Sequence, residues 1–160
     1  MPPYNAYKCS QCGFELPTGW GGHMYVENDN GERIACPHPR EYEKAVRVLG
    51  IDEEVLGIGS PFSESFKKRS LTEDEKALLE AKTGFNSYCL CLDCLSQFEL
   101  DLGDDENSPW SYSYGPSTKK DERICPHCNS KKVKTVFELI DHPCPKCGEG
   151  VIEKLERGYS

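Results

Sequence analysis

Four CxxC steps punctuate this 160-residue chain: Cys9/Cys12, Cys91/Cys94, Cys125/Cys128 and Cys144/Cys147. Most are followed by turn-forming or polar residues and then a short strand-like run, as in Gly13-Phe14-Glu15-Leu16, Gln97-Phe98-Glu99-Leu100 and Gly148-Glu149-Gly150-Val151-Ile152. The repeat constrains the fold more than composition does. Only 37% of the residues are apolar, and a piece of roughly 50 to 60 residues buries only about 60% of its unfolded surface, so such a piece commonly needs a disulfide or a metal to offset chain entropy.

The compartment decides between those two staples. The opening Met1-Pro2-Pro3-Tyr4-Asn5-Ala6-Tyr7-Lys8 has neither a basic nor an apolar secretory region, which predicts a cytoplasmic chain with reduced thiols. No apolar run approaches the roughly 18 to 20 residues of a membrane span, so no membrane partner is expected. Zinc takes four tetrahedral thiolate or imidazole ligands, and a CxxC step lets two sulfurs of one tight turn reach the same ion. Gly13, Asn129 and Gly148, each just after a second cysteine, suit the left-handed backbone such a turn requires. A thioredoxin-like redox motif would need a βαβ context that is missing here.

Cys125/Cys128 and Cys144/Cys147 are separated by the 15 residues Asn129 to Pro143, long enough for a strand and a return. With their Cys-Pro-x-Cys-Asn/Gly sequences, these two steps resemble the knuckles of zinc ribbons over roughly residues 120–155. The resemblance implies a metal-stapled β-hairpin platform that contacts protein or nucleic acid. Tyr7 to Phe14 likewise resembles the first knuckle of zinc ribbons and rubredoxins. Three arrangements are open for the remaining ligands. Cys9/Cys12 can join Cys36 and His38, the arrangement favoured here, or they can join Cys91/Cys94. In the third, Cys91/Cys94 join Cys125/Cys128, and Cys144/Cys147 must find ligands elsewhere. Under the first arrangement Cys91 and Cys94 need two more ligands; Cys89 can reach the same side of a strand but reads better as a small buried hydrophobe. The expected metal set is Cys9, Cys12, Cys36, His38, Cys91, Cys94, Cys125, Cys128, Cys144 and Cys147. His23, His127 and His142 read as structural or solvent-facing. A RING-type cross-brace shares the ligand order, but the gap from His38 to Cys91 is far too long for it.

Between the knuckles, Met24–Glu27 and Glu32–Ala35 flank Asn28-Asp29-Asn30-Gly31 and predict a β-hairpin on an Asn-Gly turn. One helix is expected from Pro39 to Leu49, with Tyr42, Ala45, Val46 and Leu49 on one face and Gly50 at its end. A second is expected from a Thr72/Glu75 capping box to a stop at Gly84. Gly57 to Ser70 reads as loop, and Lys132 to Ile140 as a strand. The predicted fold class is a small metal-stabilised α+β protein, with zinc-ribbon hairpins and two short helices between knuckles. Its regions are an N-terminal knuckle region (1–100), an acidic then Ser/Pro/Gly-rich linker carrying Trp110, Tyr112 and Tyr114 (101–118), and a C-terminal ribbon (119–160).

The net charge of -8 argues against the whole molecule being a polyanion binder. Residues 1–118 carry 10 Lys/Arg against 20 Asp/Glu, and 119–160 carry 9 against 7. A protein partner is therefore expected, with nucleic acid open only through Lys119, Lys120, Arg123, Lys131, Lys132 and Lys134. Two or three structural zinc ions are expected. Iron in a rubredoxin-like redox protein is the alternative, since four thiolates also hold iron. The enzymatic reading is weakest: the chain has no nucleophile elbow, P-loop or HExxH helix, and no His-x-Glu to complete a deaminase pattern with Pro143-Cys144-Pro145-Lys146-Cys147.

Overall fold

The computed structural model describes residues 3–36, 42–51, 72–103 and 121–159. They form a mostly β, α+β protein with two antiparallel sheets and short helices, divided into two units. One unit gathers 3–22, 86–103 and 121–159, the other 23–36, 42–51 and 72–85. The larger unit is assembled from stretches distant in the chain, whereas the described residues of the smaller come from the single span 23–85. Among the described residues no helix is long and apolar enough to cross a membrane. Gly57 to Ser70, Trp110, Tyr112 and Tyr114 lie outside the described residues.

In the smaller unit, β3 (Gly22–Glu27) and β4 (Arg33–Cys36) form the expected hairpin, with Val26 opposite Ile34 and Glu27 opposite Arg33. The connection is wider than a two-residue turn. Asn28 Oδ1 accepts from the N–H groups of Asn30 and Glu32 at 2.9 and 3.0 Å, and Gly31 supplies a left-handed φ of +81°. Helix α1 (Tyr42–Val48) buries Ala45 and Val46 and ends at Gly50, φ +69°; its predicted start at Pro39 lies outside the described residues. Helix α2 (Glu73–Lys82) starts on the predicted capping box, the Glu75 N–H donating to Thr72 Oγ1 and the Thr72 N–H to Glu75 Oε1. It ends at Lys82 with Thr83 as its C-cap, so the expected stop residue Gly84 lies just beyond. The chain turns extended at Thr83, whose hydroxyl donates to the Leu79 carbonyl, and Gly84 sits inside β5 (Thr83–Cys91). Met24, Val26, Cys36, Ala45, Val46, Ile51, Leu79 and Phe85 make this unit's core.

The larger unit is two three-stranded ribbons. In one, β1 (Pro3–Cys9) lies between β2 (Glu15–Gly19) and β8 (Ile152–Tyr159). In the other, the later half of β5 lies between β6 (Gln97–Leu100) and β7 (Val133–Thr135). The run Lys132 to Ile140 is not one strand. Thr135 and Glu138 form a second capping box, which turns the chain after β7 into the short helix α3 (Val136–Leu139), a third helix beyond the two expected. Arg123 reinforces it, its guanidinium 2.6 Å from Glu138 Oε1. Val136 and Leu139 are thereby buried, and the chain is aimed at Cys144.

Candidate metal centres

The four CxxC steps share one backbone turn. The residue after the second cysteine is left-handed in all four: Gly13 (φ +74°), Leu95 (+59°), Asn129 (+60°) and Gly148 (+71°). The N–H groups of Leu95, Asn129 and Gly148 donate to the carbonyls of Cys91, Cys125 and Cys144, each at 2.9 Å. The first cysteine's own N–H then reaches across the turn, Cys9 to Phe14, Cys91 to Ser96, Cys125 to Ser130 and Cys144 to Gly150. Backbone N–H groups are left to point at sulfur: Gln11 and Cys12 to Cys9 Sγ at 3.3 and 3.5 Å, and His127 to Cys125 Sγ at 3.4 Å. The two donors to Cys9 favour its thiolate.

The knuckles meet in a nested order. Cys9, Cys12, Cys144 and Cys147 form one quartet and Cys91, Cys94, Cys125 and Cys128 the other, the sulfurs of each lying within 4.8 Å of one another. Across the first, Cys9 and Cys147 Sγ are 3.6 Å apart and Cys12 and Cys144 3.8 Å. Across the second, the Cys91–Cys128 and Cys94–Cys125 separations are 3.5 and 3.6 Å. A tetrahedral ion with bonds of about 2.3 Å to sulfur places its ligands about 3.8 Å apart, whereas a disulfide brings them to about 2.05 Å. All ten cysteines are free thiols. Two tetracysteine groups are thus shaped to hold two metal ions, and they are consistent with metal sites of zinc-knuckle and ribbon type.

This pairing corrects two expectations. Cys125/Cys128 do not join Cys144/Cys147, because α3 carries the chain from β7 to a different ribbon. Cys9/Cys12 join Cys144/Cys147 instead of Cys36 and His38. Cys36 enters neither quartet: it is buried in the smaller unit's core and its thiol donates to the Ile34 carbonyl at 3.8 Å. His38 lies outside the described residues. Of the three arrangements, the one joining Cys91/Cys94 to Cys125/Cys128 is the one seen for that quartet. The ligands it left to be found for Cys144/Cys147 are Cys9 and Cys12.

The strands explain the nesting, because the two ribbons share one register. The residue before the first cysteine pairs with the third after the second: Lys8 with Glu15, and Leu90 with Gln97. The first cysteine itself faces the fifth residue after the partner knuckle, Cys9 opposite Ile152 and Cys91 opposite Val133. At matching places the Ser10 N–H donates to Val151 O and the Leu92 N–H to Lys132 O. Gly150 belongs to this fit as well, since a Cβ there would lie 2.6 Å from Cys9 Sγ.

Charge is distributed unevenly within each quartet. The Cys12 N–H, with help from the Gln11 N–H and the Cys144 and Cys12 thiols, outweighs desolvation and lowers Cys9 to about 6. The Ser96 hydroxyl and backbone do the same for Cys94, also to about 6. A backbone hydrogen bond at Phe14 draws Cys12 down, but desolvation and the neighbouring Cys9, Cys147 and Cys144 prevail and push it up to about 11. Cys128 is drawn down by Ser130 yet pushed up to about 12 by Cys91, desolvation, Cys94 and Cys125. Four thiolates this close repel one another unless a cation sits among them. That electrostatic demand and the sulfur spacing agree.

The other candidates are placed elsewhere. Cys89 is buried, its thiol near the Ser87 carbonyl at 3.4 Å. His127 tilts toward Phe98, and His23 and His142 sit by the carbonyls of Met24 and Pro143. Among the cations, Arg123 and Lys134 reach Glu138, and Lys132 reaches Asp93; Lys119 and Lys120 are outside the described residues. No protein-family model, curated protein or solved structure matches this chain.

Proposed function

We propose that the chain is a structural-zinc module of zinc-ribbon type, in which two zinc ions hold a β platform that binds a protein partner. The observation that supports this is the closure of both quartets: four protein sulfurs at tetrahedral spacing fill the coordination sphere and leave no position for a substrate. Bound zinc would supply a divalent charge to the thiolates without redox chemistry. The thiols themselves call for a reducing compartment such as the cytoplasm. A protein partner is favoured over nucleic acid because Arg123, Lys132 and Lys134 already face Glu138 or Asp93, which reduces what they can offer to phosphates.

Native mass spectrometry of reduced protein purified from its own host is expected to show two zinc ions per chain. Less than one ion per folded chain would sink the proposal, and red protein with visible charge-transfer absorption would replace zinc with iron. Retention of partners in high salt separates protein binding from steeply salt-dependent nucleic-acid binding through 119–134.

A further inference from the structure

We infer that the two quartets fill in a fixed order, the inner one (Cys91, Cys94, Cys125, Cys128) before the outer (Cys9, Cys12, Cys144, Cys147), so that the outer site is a latch on strands β1 and β8. The inference rests on the metal reading above. Its basis is an asymmetry between two ribbons that are otherwise alike.

The inner ribbon supplies its own surroundings. Cys89, Cys91, Cys125 and Val133 cluster with Phe98, Leu100 and Leu102, all from the inner ribbon and the residues just after β6. The outer quartet does not. Around Cys9 and Cys144 pack Tyr7, Leu16 and Ile152 of its own strands, but also Leu90 from β5 and Val136 and Leu139 from α3, with Leu92 and Leu95 of the inner knuckle at the margin. Opening the outer ribbon uncovers Leu90, Leu92 and Leu95 yet removes none of the side chains clustered around Cys91 and Cys125. Opening the inner ribbon takes away part of the outer core.

Chain entropy points the same way. The inner sulfur pairs are 31 and 37 residues apart in sequence, the outer pairs 132 and 138. A closure about four times longer is roughly eightfold less probable before any contact forms. Closing the inner knuckles first shortens the outer path and fixes β7 and α3, which deliver Cys144. A chain short of metal would therefore keep β5, β6 and β7 together while β1 and β8 come free.

The test is a zinc titration of the metal-free, reduced full chain, followed by native mass spectrometry and hydrogen exchange. At one equivalent, the one-zinc species should dominate, with 86–103 and 121–135 protected and 3–19 and 144–159 still exchanging; the second equivalent should protect the latter. The double variant Cys144→Ser, Cys147→Ser should hold one zinc and keep the inner protection. The double variant Cys125→Ser, Cys128→Ser should bind its remaining zinc at least about tenfold more weakly than the outer site of the parent chain. Gly150→Ala, which changes no ligand, should shift only the second binding step. Protection of β1 and β8 at one equivalent, an outer site of unchanged affinity in the inner variant, or loss of all protection in both double variants would overturn the order. A folded parent chain that takes up no zinc at all would remove the metal reading itself.

Discussion

In the smaller unit Met24, Val26, Ala45, Val46, Ile51, Leu79 and Phe85 bury one another, and its single cysteine, Cys36, packs among them as one more small apolar group. In the larger unit the buried set is threaded with cysteines: Cys9, Cys89, Cys91, Cys125 and Cys144 stand among Tyr7, Leu16, Leu90, Val133, Val136, Leu139 and Ile152. Hydrophobic burial scales with apolar area, and a ribbon of short strands offers little of it. A metal bound by four thiolates contributes at one point what such a ribbon cannot gather over its surface. The two units should therefore fail for different reasons.

The largest effect is expected from chelation. Removing both metals from the reduced protein should abolish amide protection over 3–19, 86–103 and 121–159 while much of it survives over 23–36 and 72–85. Structural zinc in small peptides is worth on the order of 10 kcal/mol or more, beyond what the ribbon strands can replace. Equal loss in both units would erase the distinction. Phe85→Ala probes the other side: it should cost the smaller unit about 3–5 kcal/mol in urea unfolding and leave two zinc ions bound. Loss of zinc in that variant would mean that the sites draw on the apolar core.

Proton release sharpens the comparison at intermediate size. Metal binds thiolates, so every thiol still protonated must give up its proton. With Cys9 and Cys94 lowered to about 6, those two are thiolates at pH 7; with Cys12 raised to about 11 and Cys128 to about 12, those two are not. Each site then releases at least one proton on binding, and affinity rises about tenfold per pH unit for each proton released, a trend that continues until the raised groups titrate. Calorimetry in buffers of different ionisation enthalpy reads the count directly. A site that releases none contradicts this charge distribution, and protection in the smaller unit should not follow the zinc affinity.

How much of this was legible in the sequence depended on how local each feature is. A capping box spans four residues, so Thr72 and Glu75 could be recognised in advance, and the β3–β4 hairpin was readable from its alternation around Asn28 to Gly31. The left-handed knuckle positions were readable at Gly13, Asn129 and Gly148 but not at Leu95, where the turn imposes φ +59° on a residue that does not favour it. Pairing is not local. The spacer between Cys128 and Cys144 is as suitable for a ribbon as any, and only the Thr135/Glu138 box, which diverts the chain, breaks that choice; the T-x-x-E pattern was there to be read. The outer quartet depends on β1 lying against β8, strands far apart in sequence. Nothing in either strand alone announces the other. Cys36 was misleading because a cysteine closing a hairpin near a histidine looks like a ligand pair until its side chain is found in an apolar core.

The smallest effects come from the two capping boxes, and they test the contrast most finely because the motif is the same in both units. In α2 the Thr72 hydroxyl accepts the Glu75 N–H at 3.2 Å at an exposed helix end. In α3 the Thr135 hydroxyl accepts the Glu138 N–H at 3.3 Å, but Thr135 is fully buried and Glu138 also faces Arg123 and Lys134. Replacing an N-cap threonine by alanine costs about 1 kcal/mol. For Thr72→Ala that loss should stay in the smaller unit as a lower urea midpoint, with zinc affinity unchanged. For Thr135→Ala it should appear at a metal site, because α3 holds Val136 and Leu139 beside Cys144, and the same energy there corresponds to about fivefold weaker binding of the second zinc. If both variants shift only the unfolding midpoint, α3 is merely a connection; if Thr135→Ala alone moves the second zinc, the helical turn is part of what holds the outer quartet in place.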